Sequence, residues 1–421
     1  MRIAVIATGT RGDVQPFIAL CATLCERGHD AYLISLAEFA DLAAQHGVSL
    51  RPYSFDIKAE MNRPESQRLF TDGGNPIALL RWMRDLGKRY GRQLALEGRD
   101  LTADADLIVG SGMSDPHASI FAEYRHVPVA HAFLQPAVWN SDYPSPFHPV
   151  LPLPGWLNRF EQQFGVQMLW LATRLLMQET RKVLMMPRAS LFSPVPRALR
   201  AGEPFLLAFS RHVLPPAREW PQNVRVTGYL FLDGPKNWLP PPALVQFLDG
   251  SPPPVYFGFG SMNMKDAKET TETVLRVVQR IGCRAVVSSG WGGLGGAVQL
   301  PPNVFAVDAV PHDWLFPRMA VAVHHGGAGT VAAAARAGIP SVVTPFLMDQ
   351  FFWGWRLNKL GVAPEPVPHK KLSVETLSHA VTKALSNEKL RARAAEIGDA
   401  VRSEDGLTVA AEFIEGINIK R

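Results

Sequence analysis

The sequence predicts an α/β protein made of two similar halves, each a parallel sheet covered by helices. Three observations carry this. Short apolar runs alternate with helix-like segments from the first residues onward. A Pro-rich stretch, "DGPKNWLPPP", interrupts the chain past its middle, and the same alternation then restarts. The runs are continuously apolar rather than every-other-residue apolar, which suits strands buried on both faces. With 421 residues, 47% hydrophobic and 19% charged, the chain has material for two or three domains with real cores and is too apolar to be disordered.

Taken in order, "RIAVIAT" at residues 2–8 reads as the first strand and stops at Gly9. Pro16 suits the first turn of a helix and Gly28 its end; between them Phe17, Leu20, Cys21 and Leu24 mark one helical face. "DAYLISL", "ADLIVGSG" and "VPVAHAFL" follow as strands. From about 144 to 189 the pattern changes. A Pro-rich loop, "YPSPFHPVLPLPGW", leads into "LNRFEQQFGVQMLWLATRLLMQETRKVL", one long amphipathic helix or a pair. "PFLLAFS" and "VRVTGYLFL" return to strand around the loop "VLPPAREWP". Past the linker, "PVYFGFGS", "RAVVSSG", "VFAVDAV", "MAVAVHH" and "PSVVTPF" are buried-strand runs, with helical segments such as "KETTETVLRVVQRIG" between them. After Leu372 the chain reads helical almost to its end.

The bulk chemistry excludes several classes. A net charge of +5 without a Lys/Arg block is mild for a nucleic-acid binder. Three cysteines, Cys21, Cys25 and Cys283, have no disulfide-framework spacing and read as small core residues. The start lacks the apolar length and cleavage site of a signal peptide, and the most apolar later stretch is too short to span a bilayer, so the chain reads as cytoplasmic.

Two glycine clusters ask for a ligand. "GWGGLGG" contains a formal G-x-G-x-x-G at Gly290, Gly292 and Gly295, but "AVQLPPN" follows and leaves no room for the crossover helix of a dinucleotide site. "VHHGGAGTVAAAARAG", beginning at Val323, has the better context: a strand, a flexible turn, and a strong helix former. Free N–H groups at a helix start favour a phosphate, and His325 and Thr330 can add bonds. A Gly-rich turn that merely closes a βα unit, with both histidines satisfied internally, explains the residues equally well. "FGFGSMN" puts Gly260 and Ser261 at another strand's carboxyl end, where parallel sheets bind ligands. Asp349 and Gln350 lie after a third strand; a carboxylate beside an amide suits the vicinal hydroxyls of a sugar.

"HHGGAGT…AGIPSVVTPFLMDQFFWG", "GTRGDVQPFIAL" and "WPQNVRVTGYLFLD", three motifs separated along the chain, resemble the family of nucleotide-sugar glycosyltransferases that holds the UDP-glycosyltransferases of plants and mammals, the antibiotic glycosyltransferases and the sterol 3β-glucosyltransferases. The sterol and glycopeptide branches are most similar. The resemblance covers nearly the whole chain. It implies a GT-B fold, two Rossmann-like β/α/β domains facing each other across a cleft. The division implied is an acceptor-binding domain over 1–232, a linker over 233–243, a nucleotide-sugar-binding domain over 244–398, and a last helix in 399–421 that crosses back.

By the same resemblance, His325 and Thr330 hold the donor diphosphate with the turn amides, while Gly326, Gly327 and Gly329 allow close backbone approach. Asp349 and Gln350 hold the sugar, and Ser261 joins the phosphate shell. Arg11 and Gly12 border the donor. The backbone of Val310 meets the base. Plant members have a stacking Trp near Ala309; Trp291 is the substitute expected here. Asp13 stands where plant relatives carry a catalytic His, and the resemblance makes it the general base, ionised at neutral pH through an ordinary acidic pKa. Helix N-capping is its other role.

The implied reaction is displacement with inversion at the anomeric carbon, without a metal or cofactor; the DxD at Asp104 and Asp106 reads as a solvated turn. The donor reads as UDP-glucose, with a TDP-sugar as the alternative. A lipophilic acceptor is expected against Trp139, Phe147 and Trp156, with Trp170 in the core. A sterol or polycyclic natural product fits, and the Leu/Trp-rich helix allows transient membrane contact. A catalytically silent auxiliary protein of the same fold is the reading from a different class.

Overall fold

A computed structural model describes residues 1–55, 60, 63, 76–151, 153–235, 238–259, 267–288, 300–308 and 310–417. The first half contributes β1 (Arg2–Ile6), α1 (Arg11–Glu26), β2 (Asp30–Leu36), α2 (Ala40–Gln45), β3 (Ser49–Tyr53), α3 (Pro76–Leu101), β4 (Leu107–Ser111), α4 (Asp115–Arg125), β5 (Val129–Phe133), α5 (Gly155–Val183), α6 (Val195–Ala201), β6 (Phe205–Leu207) and β7 (Val224–Val226). The described strands pair in parallel in the order β3-β2-β1-β4-β5-β6-β7.

The second half contributes α7 (Pro242–Leu248), β8 (Val255–Gly258), α8 (Ala267–Ile281), β9 (Ala285–Ser288), β10 (Val304–Val307), α9 (His312–Leu315), β11 (Val321–His324), α10 (Ala328–Ala337), β12 (Ser341–Val343), α11 (Asp349–Leu360), α12 (Val374–Ser386), α13 (Glu388–Arg402) and α14 (Gly406–Glu415). Its sheet is also parallel, in the order β10-β9-β8-β11-β12. Both sheets start in the middle, grow to one side, then reverse. Each therefore has a topological switch point, between β1 and β4 and between β8 and β11, where the loops splay and leave a crevice.

Several local expectations change. The first helix starts at Arg11, not at Pro16, because Thr10 and Asp13 close a capping box at its head. Pro16 is tolerated inside it; its missing N–H forgoes one bond, to the carbonyl four residues back. The segment after β5 is one helix of 29 residues, α5. "VRVTGYLFL" is strand only over Val224–Val226, since Gly228 turns at φ +101°. Asp104 and Asp106 lie exposed in the turn before β4, as expected, and are also engaged in bonds. Asp104 accepts bonds from Arg51 at 2.8 and 2.9 Å, Tyr32 at 2.9 Å and Arg2 at 3.1 Å, while Asp106 takes the Arg2 N–H at 2.7 Å. They pin the amino ends of the strands, and Arg51 holds the Asp104 carboxyl well below its usual range. Cys21 is fully buried, as expected of a small core residue.

The two halves share apolar core. Phe205, Leu207 and Phe209 lie in one cluster with Phe352, Trp353 and Ile397, and the Phe209 and Trp353 rings meet edge to face at 5.9 Å. Arg356 adds a bond to the Val213 carbonyl at 2.6 Å. α13 runs unbroken across residue 398, and the chain then turns at 403–405. α14 buries Ala410, Ala411 and Ile414 in the cluster built on β1 and α1, and its Glu415 takes bonds of 2.9 and 2.7 Å from Arg27.

Candidate active site

At the first switch point, the end of β1 is locked to the loop after β4: Ser114 Oγ takes the Thr8 N–H at 3.1 Å and lies 2.6 Å from Thr8 Oγ1. The chain then turns at Gly9, φ +136°, where an added Cβ would stand 2.6 Å from Asp13 Oδ2. Gly9 is thus required twice, for its backbone and for the room it leaves. Thr10 is the N-cap of α1, and both its N–H and its hydroxyl donate to Asp13 Oδ2 at 2.8 Å. Asp13 is therefore the reciprocating third residue of the capping box rather than the cap. No described residue bonds to Oδ1. Asp13 is solvent-exposed, yet much protein lies around its carboxylate. That burial raises its pKa against the lowering effect of the Thr10 bonds, so its acidity is not the ordinary one expected.

At the second switch point, β11 ends on His324, fully buried, whose Nδ1 accepts the Gly326 N–H at 3.1 Å. Burial lowers its pKa to about 3, so it is neutral and serves as an acceptor that shapes the turn. Gly326 has φ +91°, and a Cβ there would stand 2.8 Å from Val343 Cγ1. A Cβ on Gly327 would stand 2.3 Å from His325 Nε2, so the histidine ring folds onto this glycine. His325 Nδ1 is buried without a hydrogen-bond partner among the described residues, and burial holds the ring's pKa at about 4. α10 starts with Gly327 as an N-cap that offers no side chain. The Thr330 and Val331 N–H groups bond back to Gly327 at 3.0 Å each, while those of Ala328 and Gly329 bond to no described residue.

The third contributor is α11. Its N-cap, Met348, holds φ +49° and ψ −132°, a costly conformation for a side chain. Gln350 Oε1 accepts the Phe346 and Leu347 N–H groups at 2.8 and 3.2 Å, so its carbonyl staples the loop and only its amide nitrogen is left for a ligand. Asp349, first residue of the helix, has its pKa raised to about 7 by burial and then by the Asp13 carboxylate across the cleft. The two loops nearly touch: a Cβ on Gly329 would stand 3.6 Å from Gly12 Cα. Arg11, bonded to Gln15 at 3.0 Å, adds to burial in lowering the pKa of half-buried His312 to about 4. Three helix N-termini thus converge on one cleft, with a carboxylate on one wall and a half-buried histidine on the other. N–H groups and positive dipole ends suit a diphosphate. Among the described residues no group of three metal-ligating side chains is assembled.

Residues 3–85 match the glycosyltransferase family 28 N-terminal domain, and residues 272–415 match the erythromycin biosynthesis protein CIII-like C-terminal domain. The sterol 3-beta-glucosyltransferase UGT80B1 of Arabidopsis thaliana is 33% identical over 424 residues, taking in 98% of this chain and 67% of that protein. The chain belongs to the sterol 3-beta-glucosyltransferase family. UGT80A2 of the same plant is 32% identical over 98% of the chain and 65% of its own length. The Emericella nidulans sterol 3-beta-glucosyltransferase is 34% identical over 98% of the chain and 30% of its own length. The chain thus spans about two thirds of these plant relatives and under a third of the fungal one. Solved glycosyltransferases share the GT-B fold end to end: the calicheamicin glycosyltransferase CalG4 at TM-score 0.68 and 17% identity, over 99% of this chain and 98% of that one, and VinC in complex with DTDP at 0.66 and 18%, over 99% of each.

Within this sterol 3-beta-glucosyltransferase family chain, Asp13, Arg11, Gly12, His325, Gly326, Gly327, Gly329, Thr330, Asp349 and Gln350 border one cleft. Val310 is half-buried against the cluster under α9. Ser261 and Trp291 lie outside the described residues. On the acceptor side Trp139 and Phe147 are half-buried in the loop after β5, and Trp170 packs inward with its indole N–H on the Ser190 carbonyl at 3.1 Å. Trp156 is 73% exposed in the first turn of α5, a rim position rather than part of a wall. The sequence reading missed Ser114, which comes from another strand's loop and carries no local signal, and the double role of Gly9, which the strained spacing of "TGTRGD" encodes.

Proposed function

We propose that the chain is an inverting, metal-independent glycosyltransferase that moves a hexose, glucose first, from a UDP-sugar to the hydroxyl of a lipophilic alcohol such as a sterol. The observation that carries the reading is Asp13, with one oxygen uncommitted, facing the open N-termini of α10 and α11 across a gap that nearly closes at Gly12 and Gly329. In this reading Asp13 Oδ1 takes the acceptor's proton as the hydroxyl oxygen bonds the anomeric carbon, and the bond from that carbon to the diphosphate breaks on the opposite face. Negative charge grows on the leaving diphosphate, where the Ala328 and Gly329 amides, Thr330 and His325 stabilise it. Asp349 and the Gln350 amide bind sugar hydroxyls. The relatives' printed names support the sterol acceptor, and the three cysteines without framework spacing support a cytoplasmic setting. The domain division at 1–232, 244–398 and a returning last helix belongs to the same proposal.

The test is transfer from labelled UDP-glucose to a panel of sterols and polycyclic alcohols, with excess EDTA and with TDP-glucose as competitor. A β-glycoside formed from the α-linked donor, undiminished by EDTA, is expected. Retained anomeric configuration overturns the single displacement. Activity that vanishes with chelator and returns with Mg²⁺ or Mn²⁺ overturns the helix-and-histidine account, and preference for TDP-glucose overturns the choice of donor.

A further inference from the structure

α5 carries a row of exposed apolar side chains that no described residue covers. Trp156, Phe160, Phe164, Met168, Leu171 and Leu175 are between 37 and 73% exposed. Their spacing keeps them on one helical face, and Lys182, 75% exposed, continues it. A contiguous exposed row of this kind marks an interaction surface.

The neighbouring helix says what the surface fits. α3 packs along α5: a Cβ on Gly87 would stand 3.3 Å from Leu176 Cα, and one on Gly91 would stand 3.2 Å from Glu179 Cβ. The pairs advance together, so the helices run parallel, as two right-handed crossovers on one face of a parallel sheet require. α3 bears Arg81, Arg84, Lys88 and Arg92, all exposed. At 100° per residue these lie within an arc of roughly 80°. Turning about 90° from the shared contact, the basic row of α3 and the apolar row of α5 reach the same side of the helix pair. Asp85, 3.2 Å from Arg84, is the acid in that row among the described residues. The Gly87 and Gly91 contacts set Leu171 and Leu175 beside the basic row, with Met168, Phe164, Phe160 and Trp156 continuing the apolar row beyond it, and such a surface matches the boundary between headgroups and acyl chains of an anionic bilayer. No helix among the described residues is long and apolar enough to cross one. The row begins at the cleft: α5 starts where Gly155 abuts the Ser141 carbonyl, in the loop leaving the carboxyl end of β5.

We propose that the α3–α5 face docks the chain on an anionic lipid bilayer with the Trp156 end toward the cleft mouth, so that an acceptor dissolved in the membrane enters the cleft from the lipid. The purpose assigned to docking rests on the lipophilic-acceptor reading; the docking itself does not.

The full chain is sedimented with vesicles of phosphatidylcholine and of phosphatidylcholine mixed with phosphatidylglycerol, without donor or acceptor. Binding to the mixed vesicles, weakened by salt, is expected. Phe160→Ser with Phe164→Ser, and separately Arg84→Ser with Lys88→Ser and Arg92→Ser, should each reduce it. The triple change should cost on the order of a hundredfold, at about fivefold per basic residue. Calorimetry with UDP reports that each variant is folded, and transfer to an acceptor held in cyclodextrin should be unchanged. Wild-type protein that ignores both vesicles, binds both equally, or binds as its variants do overturns the proposal. So does a dimer that Phe160→Ser with Phe164→Ser makes monomeric, which would assign the face to a second copy. Because binding is read without turnover, failure of the transfer reaction leaves this result standing.

Discussion

At Asp13 the two carboxylate oxygens sit in different surroundings. Oδ2 takes both Thr10 bonds at 2.8 Å, and Oδ1 takes none from the described residues. Capping and base catalysis are therefore compatible in one side chain. Asp13→Asn separates them, because the amide oxygen can still accept from Thr10 while the nitrogen cannot take a proton. Melting temperature and UDP affinity should stay near wild type, and turnover should fall by roughly 10² or more. An aliphatic alcohol is the acceptor to use, since a phenol ionises without help; near-normal turnover of that alcohol would place the base elsewhere. The adjacent histidines divide similarly. Each has a buried nitrogen without a partner among the described residues, His324 Nε2 and His325 Nδ1, but His324 spends its other nitrogen on the Gly326 N–H; His325→Ala should lose UDP affinity and roughly 10²–10³ in rate, with little effect on melting. His324→Ala should instead lower stability, by about 1–3 kcal/mol, because it empties a core site and strands the Gly326 N–H. Calorimetry with UDP and thermal melts of both variants check the assignment, and the reverse pattern would exchange the roles.

Between elements, His131 on β5 is the clearest tie. Its Nδ1 lies 2.7 Å from Asp115 at the head of α4, and its Nε2 2.8 Å from Glu203 ahead of β6. Burial opposes charge on the ring, but Asp115 and Glu203 together outweigh it and push the pKa up to about 9. A raised pKa means the folded state holds the proton more tightly. The stabilisation is complete below the unfolded value near 6.5 and is lost as pH rises through about 9. The stability gap between wild type and His131→Gln should be widest near pH 6 and shrink by on the order of 2–3 kcal/mol toward pH 10. Denaturant melts across that range decide it, and a constant gap would mean a neutral ring. No periodicity announces this tie, because its members come from a strand, a helix start and a loop. Elements with their own signals were legible: β1, the buried face of α1 and the strands of the second sheet stand where their apolar runs are. Element ends were less so. Pro16 suggested a start that the Thr10–Asp13 pair places earlier, and "VRVTGYLFL" looks like a strand throughout, although Gly228 ends it.

Across the whole molecule, the return of the last helix depends on two glycines in contact. A Cβ on Gly406 would stand 2.3 Å from the Tyr229 carbonyl oxygen and 2.7 Å from the Gly228 carbonyl carbon, both backbone atoms with little freedom to move. Gly406→Ala should therefore cost about 1–3 kcal/mol, and amide exchange over 406–415 should quicken. Unchanged melting and exchange would mean the crossing is looser than its geometry. Composition, apolar runs and the turn motifs by themselves determined two parallel-sheet halves and placed the glycine turn with His325, and Asp349, at strand ends where parallel sheets bind ligands, because each depends on local chain chemistry; Asp13 as a candidate base came from the family resemblance. Only the folded structure decided that Asp13 Oδ2 is spent on Thr10, that burial and the Asp13 carboxylate raise the Asp349 pKa to about 7, that Gln350 staples its own loop, and that Trp156 faces outward. The Asp349 pKa depends on burial and on a carboxylate from a distant segment, whereas the Asp13 and Gln350 bonds span only three or four residues and depend on how those loops fold; in both cases titration and hydrogen-bond commitment follow from surroundings rather than from residue type.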